Sequence, residues 1–382
     1  MITQFTPRPG VLDLGWGHPR PDLLPVAGWR RATASALEEY TWQALTYGAT
    51  AGPAPLVEWL GAHLPGADAG SFGPGECFVT AGASQALALA GAVLVRPGDV
   101  VLAAAPTYHL AFTPIRDLGA TLLPAPGDGD GPDPDATAAL VDRLRREGRR
   151  VTALYLVPTF ANPSGTSLPP DRRAALIRFA QRSGVTIIED DTYREMAYDG
   201  PAPPSLWSRS GGDGVVRLGS FAKTVAPGLR LGWINAGAGT VRSIAALGHV
   251  HSGGGVNHTN ALAMAAFGRS GDYDRHLARV RDAYREQRDA LARHLRAAAP
   301  ELAFTLPAGG WFLWVHLPPG LTAEALQSRA EHHGVGFAPG PLFYCDGAGG
   351  SQYIRLAFSM LPPDDLATAA HRLAAAVTAR QR

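Results

Sequence analysis

Between residues 76 and 235 the chain alternates short apolar runs with longer amphipathic stretches, and this rhythm restricts the fold more than any other feature of the sequence. The runs 76–80, 100–104, 151–157, 186–190 and 215–219 read as strands, and 84–95, 136–145 and 171–182 read as helices. Strands that alternate with helices return to one sheet as parallel neighbours, so an α/β fold with a mostly parallel, doubly wound sheet is expected. Ligands of such sheets sit beyond the carboxyl ends of the strands. The residues that follow each strand are therefore where chemistry is sought.

After residue 271 the texture changes. The stretch 273–298 reads as one long amphipathic helix, with Leu277, Val280, Ala283, Tyr284 and Leu291 at helical spacing. A strand at 310–317, a helix at 322–332, a strand at 353–358 and a last helix at 364–379 follow. This predicts a smaller α+β domain over 271–382, joined by an N-terminal segment 1–45, beside a large domain over 46–270. The acidic, Gly/Pro-rich stretch 126–135 reads as a solvated turn, and no metal is expected.

With 382 residues, 46% of them hydrophobic, the chain can bury a substantial core. A net charge of +1 without a basic run argues against nucleic acid as a partner. No run approaches the ~20 apolar residues of a membrane span, and the start MITQFTPRPG lacks a signal-peptide pattern. Cys77 and Cys345 are too few for a disulfide framework. A cytoplasmic protein with no membrane partner is expected.

Of the 34 basic residues a single one, Lys223, is lysine, and the others are arginine. Solvated surface cations are largely interchangeable, which explains the arginines but not the exception. An amine that loses its proton becomes a nucleophile and forms an imine, which a guanidinium does not do. Lys223 lies after the fifth strand, in Ser220-Phe221-Ala222-Lys223, and Ser220 and Arg230 flank it as anion ligands. After the first strand, Thr80-Ala81-Gly82-Ala83-Ser84-Gln85 opens a helix whose N-terminus suits a phosphate, although Ser84 also suits plain capping. Tyr108 follows the second strand as a ring that either stacks on a planar ligand or is merely half-buried. Asn162, in an Asn-Pro-x-Gly turn, follows the third. The fourth runs into Glu189-Asp190-Asp191, of which Asp190 is expected to point inward at a cationic ligand while the other two are solvated; Tyr193 is within reach of the same ligand.

Five consecutive strand ends carrying parts of one site resemble the fold-type I pyridoxal phosphate (PLP)-dependent aminotransferases. The chain is most similar to the branch holding 2-aminoadipate aminotransferases and the catalytic domains of MocR-like regulators. The segments LTYGATAGPAPLVEWLGAHL, TAGASQAL, PGDVV, PTY, PTFANPSGTSL, IIEDDTYREMAYDG, GSFAKTVAPGLRLGW, PAGGWFLW, FAPG and YIRLAFS carry the resemblance in order along nearly the whole chain. It implies that Lys223 holds PLP as a Schiff base and later moves the substrate's α-proton. It further implies that Asp190 pairs with the pyridine nitrogen, that Asn162 and Tyr193 bond the ring's phenolic oxygen, and that Tyr108 stacks on the ring. Ala83, Ser84, Gln85, Ser220 and Arg230 would hold the phosphate, Tyr47 reaching it from the partner subunit of a homodimer with shared sites. Arg355 would clamp the substrate's α-carboxylate.

The implied reaction moves the α-amino group of an L-amino acid to a 2-oxo acid. The sequence departs from the family pattern at LGWGHPRPDLLP (residues 14–25) and at the glycine-rich HVHSGGGVNH, which carries His249, His251 and His258. These segments motivate an alternative on the same cofactor, namely β- or γ-elimination, replacement or C–C bond formation. A ligand-sensing module is not expected, because the chain starts almost directly in the catalytic fold. Nucleotide binding is not expected either, since Gly237-Ala238-Gly239 lacks a following helix signature.

Overall fold

The structure, a computed structural model, describes residues 8–68, 72–73 and 75–379. The first residues of MITQFTPRPG, read above for a signal pattern, lie outside the described residues. Seven strands form the central sheet: β1 (Cys77–Thr80), β2 (Val100–Ala103), β3 (Thr121–Pro124), β4 (Val151–Leu156), β5 (Thr186–Asp190), β6 (Val215–Ser220) and β7 (Gly232–Asn235). Their spatial order is β1–β7–β6–β5–β4–β2–β3, and β7 alone runs antiparallel to its neighbours. The five strands expected from the sequence are all present, each within a residue or so of its expected ends. The expectation missed β3 and β7, whose four residues each lie in stretches too short and too glycine- or proline-rich to read as strands. A helix, Ala238–Ala245, does follow Gly237, so the reason given above against a nucleotide loop there is corrected.

Each face of the sheet has its own core, as a doubly wound topology requires. Alternation along β4 sends Ala153 and Tyr155 into one core and Leu154 and Leu156 into the other. Next door on β5, Ile188 joins the first and Ile187 the second. A three-stranded antiparallel sheet lies in the C-terminal part: β8 (Phe312–His316), β9 (Ala338–Pro339) and β10 (Tyr353–Ala357), in the order β8–β10–β9. The helix Asp272–Ala298 buries Tyr273, Leu277, Val280, Tyr284 and Leu291 along one stripe. At ~1.5–3 kcal/mol for each large apolar side chain, that stripe fixes the helix in place. The N-terminal stretch divides between the two parts: Leu12–Asp13 pairs in parallel with Val335–Gly336, whereas Val26–Tyr40 packs against the helix His258–Arg269. Among the described residues no helix is long and apolar enough to cross a membrane.

The ends of β5 and β6 are tied to the helix Ala54–Asp68 by buried charges. Arg217 on β6 reaches Asp68 at 2.8 Å and Asp191 at 2.9 Å, and Arg194 reaches Asp191 at 2.6 Å and Asp68 at 3.2 Å. Burial pushes the Asp191 carboxyl up, but the two guanidinium groups hold it below the usual range. Removing one partner from such a set leaves an uncompensated buried charge. Arg217→Ala is therefore expected to lower stability by about 3–5 kcal/mol in chemical denaturation; a loss below about 1 kcal/mol, the value of an exposed pair, would contradict this reading.

Candidate active site

Because β1, β2, β4, β5 and β6 run parallel and β7 antiparallel, the segments that follow the first five and precede the last meet at one edge of the sheet. Asp190 closes β5, Lys223 lies three residues past Ser220 at the end of β6, and Arg230 lies two residues before β7. Tyr108 follows β2 and Asn162 follows β4, each in a turn with a cis X-Pro bond. Here the sequence reading and the molecule agree on placement.

At Lys223 the amine end is enclosed while the residue as a whole keeps some exposure. Its Nζ donates to the Gly17 carbonyl at 3.1 Å and lies 4.8 Å from the centre of the Trp311 ring and 5.7 Å from that of Tyr193. Burial, reinforced by the positive charge of Arg355, brings its pKa down to about 8, and Asp190 opposes this. The amine is thus neutral part of the time near neutral pH, as imine chemistry demands.

Asp190 is buried, and the Tyr155 hydroxyl donates to its Oδ2 at 2.7 Å. Burial raises its pKa, and Tyr155 and Thr192 work against that rise. Its Oδ1 is buried without a hydrogen-bond partner among the described residues. The expectation that Glu189 and Asp191 are solvated is corrected: both are buried. Glu189, which alternation turns to the opposite face, accepts the backbone N–H groups of Leu206 and Trp207 at 2.8 and 2.9 Å. Its pKa is pushed up to about 7 by burial and by nearby Asp191. Asp191 is compensated by Arg194, three residues on, and by Arg217, which lies 26 residues away and could not be foreseen.

Arg355 on β10 is buried and sandwiched between Phe312 and Phe343, 4.3 and 4.9 Å from their ring centres. Its Nη1 donates to Asn162 Oδ1 at 2.8 Å and its Nη2 to the Gly15 carbonyl at 2.5 Å. Burial lowers its pKa to about 10, which leaves it charged at neutral pH. Asn162 also stands against the Tyr193 hydroxyl, and burial holds that phenol far above its ordinary range. Burial likewise raises Tyr108, to about 12.

At the expected phosphate end, the helix Ala83–Leu94 starts at Gly82 with no side-chain cap, so Ser84 sits in the first turn and does not act as the cap. Gln85 turns back to accept the Ala81 N–H at 2.6 Å. Gly82 adopts φ +90, and the Arg230 guanidinium lies where a β-carbon would be, 2.8 Å away. Arg230 itself is left-handed (φ 51), a conformation that costs of order 1–3 kcal/mol and is over-determined here. Its Nη atoms donate to the carbonyls of Pro227 and Ala81. Ser220 is buried, with its Oγ accepting the Ala222 N–H at 3.1 Å. Arg230 and Ser84 are exposed, and Tyr47 is 88% exposed, so the chain leaves this end open.

These residues fit a flat, phosphorylated pyridine aldehyde. An unpartnered buried carboxylate oxygen suits a ring cation, an amine with a depressed pKa stands at the next strand end, and a glycine-flanked guanidinium with a helix N-terminus suits an anion. Among the described residues no group of three or more His, Cys, Asp or Glu is gathered that could hold a metal. A cleft of about 760 Å³ lies beside the Ala104–Thr107 and Val157–Leu168 turns, lined by Trp314 and Tyr353, and excludes Lys223 and Asp190. The residues missed from the sequence are Tyr155, Trp311, Phe312, Phe343 and the carbonyls of Gly15 and Gly17. Tyr155 alone left a signal, as the one polar tip in the otherwise apolar end of VTALYL.

The profile of the family described as aminotransferase class I and II matches residues 9–373. The chain is 35% identical to the 2-aminoadipate transaminase of Thermus thermophilus, covering 98% of this chain and 92% of that protein. In structure it is similar to Pyrococcus horikoshii kynurenine aminotransferase, solved with PMP, at a TM-score of 0.89 and 30% identity over 96% of this chain and 91% of that one. It is also similar to the α-aminoadipate aminotransferase of Thermus thermophilus complexed with N-(5'-phosphopyridoxyl)-L-leucine, at a TM-score of 0.84 and 33% identity over 97% and 92%.

The depressed amine is open to direct measurement, because no second lysine competes. Competitive acetylation of the apoprotein, followed by peptide mapping of position 223, is expected to titrate with a midpoint near 8. A midpoint near the ~10.4 of a free lysine would show that the amine is not desolvated.

Proposed function

The chain belongs to the class I and II aminotransferase family and is a PLP-dependent aminotransferase, and from that premise we propose that it moves the α-amino group of an L-amino acid to a 2-oxo acid at the site built around Lys223. The observation that carries this reading is the convergence of the lone lysine, the open Oδ1 of Asp190 and the guanidinium of Arg355 at one sheet edge. When bound, PLP supplies an electron-withdrawing ring conjugated to the substrate nitrogen, which acidifies the bonds at Cα. The protein's part is to bind, orient and move protons.

In this reading Asp190 presents its negative charge to the ring nitrogen, and Asn162 and Tyr193 bond the phenolic oxygen. Tyr108 lies against the ring. Ala83, Ser84, Gln85, Ser220 and Arg230 surround the phosphate. Arg355, pre-oriented by Asn162 and by two flanking rings, takes the α-carboxylate and so fixes which Cα bond lines up for cleavage. Lys223 Nζ would accept the proton from Cα and deliver it to the carbon on the other side of the substrate nitrogen. A pKa near 8 suits both halves of that transfer, since proton exchange is most effective close to the working pH. Trp311, Tyr193 and the residue 15–17 backbone enclose the amine and keep water from it.

The proposed homodimer rests on the apolar strip left bare on the single chain, where Trp42, Leu45 and Tyr47 are 72, 74 and 88% exposed. A second copy would cover the strip and bring Tyr47 of the partner subunit to the open phosphate end. Residues 1–45, 46–270 and 271–382 remain our proposed division into N-terminal segment, large and small domain. A cytoplasmic setting accords with two free, buried cysteines. The alternative of elimination, replacement or C–C bond formation gains nothing from the structure: His249 and His251 are exposed, and His258 packs against Gly48.

Borohydride reduction and peptide mapping should place a pyridoxyl group on Lys223. An amino donor should bleach the visible band and yield pyridoxamine phosphate. Product release with the cofactor returned unchanged would defeat the transamination reading. Arg355→Lys, which loses the bidentate fork but keeps the charge, is expected to lower kcat/KM for the amino acid about 100-fold, mainly through KM.

A further inference from the structure

Tyr155 enters none of the roles above, yet it is fully buried (0% exposed) and its hydroxyl has a single partner, Asp190 Oδ2, at 2.7 Å. The backbone explains how the two meet. Tyr155 on β4 is in register with Ile188 on β5, and Asp190, two residues on, lies on the same face. A long aromatic side chain spans that diagonal. Its other register neighbour, Ala103 on β2, is apolar and offers the hydroxyl nothing.

Packing alone does not call for this oxygen. A phenylalanine would fill the same space in the same core, and burying a hydroxyl costs on the order of 1–3 kcal/mol unless it is bonded. What the hydroxyl does is stabilise a charge. A donor aimed at a carboxylate favours its ionised form, and Asp190 has been stripped of water. Thr192 also favours the ionised form, and so does the charge of Lys223, but the chemistry of Lys223 requires that amine to be neutral for part of each cycle. It therefore cannot be a standing source of that stabilisation.

We propose that Tyr155 is a positioning residue of the reaction: by donating to Asp190 Oδ2 it holds Asp190 ionised and so keeps the shared proton on the ring nitrogen of the bound cofactor. This rests on the proposed pairing of Asp190 with that nitrogen. Tyr155 restrains the carboxylate as well, since a bond to Oδ2 limits its rotation and leaves Oδ1, which has no partner among the described residues, as the free acceptor. Without the donor the carboxylate's proton affinity rises, the proton shifts from nitrogen towards Oδ1, and the ring withdraws electrons less well.

The test loads wild type, Tyr155→Phe and Asp190→Asn with PLP isotope-labelled at the ring nitrogen and reads the nitrogen resonance by NMR, with the PLP dissociation constant and kcat alongside. The wild-type resonance should lie in the protonated range, and both variants should move towards the unprotonated range. For Tyr155→Phe, affinity should weaken and kcat should fall, each by about tenfold or more, the scale of a hydrogen bond to a charged group. Should Tyr155→Phe fail to fold or load, 3-fluorotyrosine at position 155 keeps the contact with a more acidic phenol and should move the resonance the opposite way. A resonance that shifts in Asp190→Asn but not when position 155 is altered overturns the role of Tyr155 and leaves that of Asp190 standing. A resonance unmoved in Asp190→Asn overturns both. A merely structural tyrosine would alter stability without moving the nitrogen signal.

Discussion

Three carboxylic acids in a row, Glu189, Asp190 and Asp191, are kept out of water at the end of a buried strand, and the architecture around them follows from that demand. Each buried ion carries a desolvation penalty of several kcal/mol, and the chain meets it three different ways. Glu189 is given the free N–H groups that begin the short helix Leu206–Ser210. Asp191 is given two arginines, which in turn share Asp68. Asp190 is given the Tyr155 phenol on Oδ2 and the support of Thr192, while its Oδ1 has no hydrogen-bond partner among the described residues. Both oxygens of Glu189 are engaged and Asp191 is anchored through its Oδ2, so the middle carboxylate lies between two held neighbours.

How much of this was legible in the sequence depends on whether the deciding contact is local. β5 has the bounds expected of it, and the strand-end positions of Tyr108, Asn162, Asp190 and Lys223 follow from counting residues along an alternating pattern. β7 was not legible, because GWIN is short, starts with glycine and runs antiparallel within a sheet whose pattern is parallel. The fate of Glu189 and Asp191 was misjudged because their partners come from elsewhere. Arg217 is 26 residues from Asp191, and Asp68 is 149 from Arg217. Tyr155 left a partial signal, a polar tip within the apolar VTALYL, but only the register of β4 against β5 reveals what that tip bonds.

The choice of cation follows the same physical division. Where a buried positive charge must bridge two acids, as at Arg194 and Arg217, the planar fork of arginine supplies several donors in fixed directions and never loses its proton. The single place where a proton must come off is the single place where the chain uses an amine. Arg173, buried and donating to three oxygens around the turn that holds Asn162 and to the Pro204 carbonyl, shows how far the guanidinium is used as internal scaffolding.

The Gly15 carbonyl that accepts from Arg355 also bears on recognition. On the proposed role of Arg355, a ligand entering its clamp does not find a bare cation but one whose Nη2 already donates to a neutral oxygen at 2.5 Å. An amide or ester oxygen would merely exchange one neutral acceptor for another and gain little from displacing the backbone. An ionised acid gains the difference between an ordinary and a charge-assisted hydrogen bond, roughly a doubling in strength. The segment after the amino-terminal strand thereby acts as a built-in competitor, which free acids outbid and their uncharged derivatives do not.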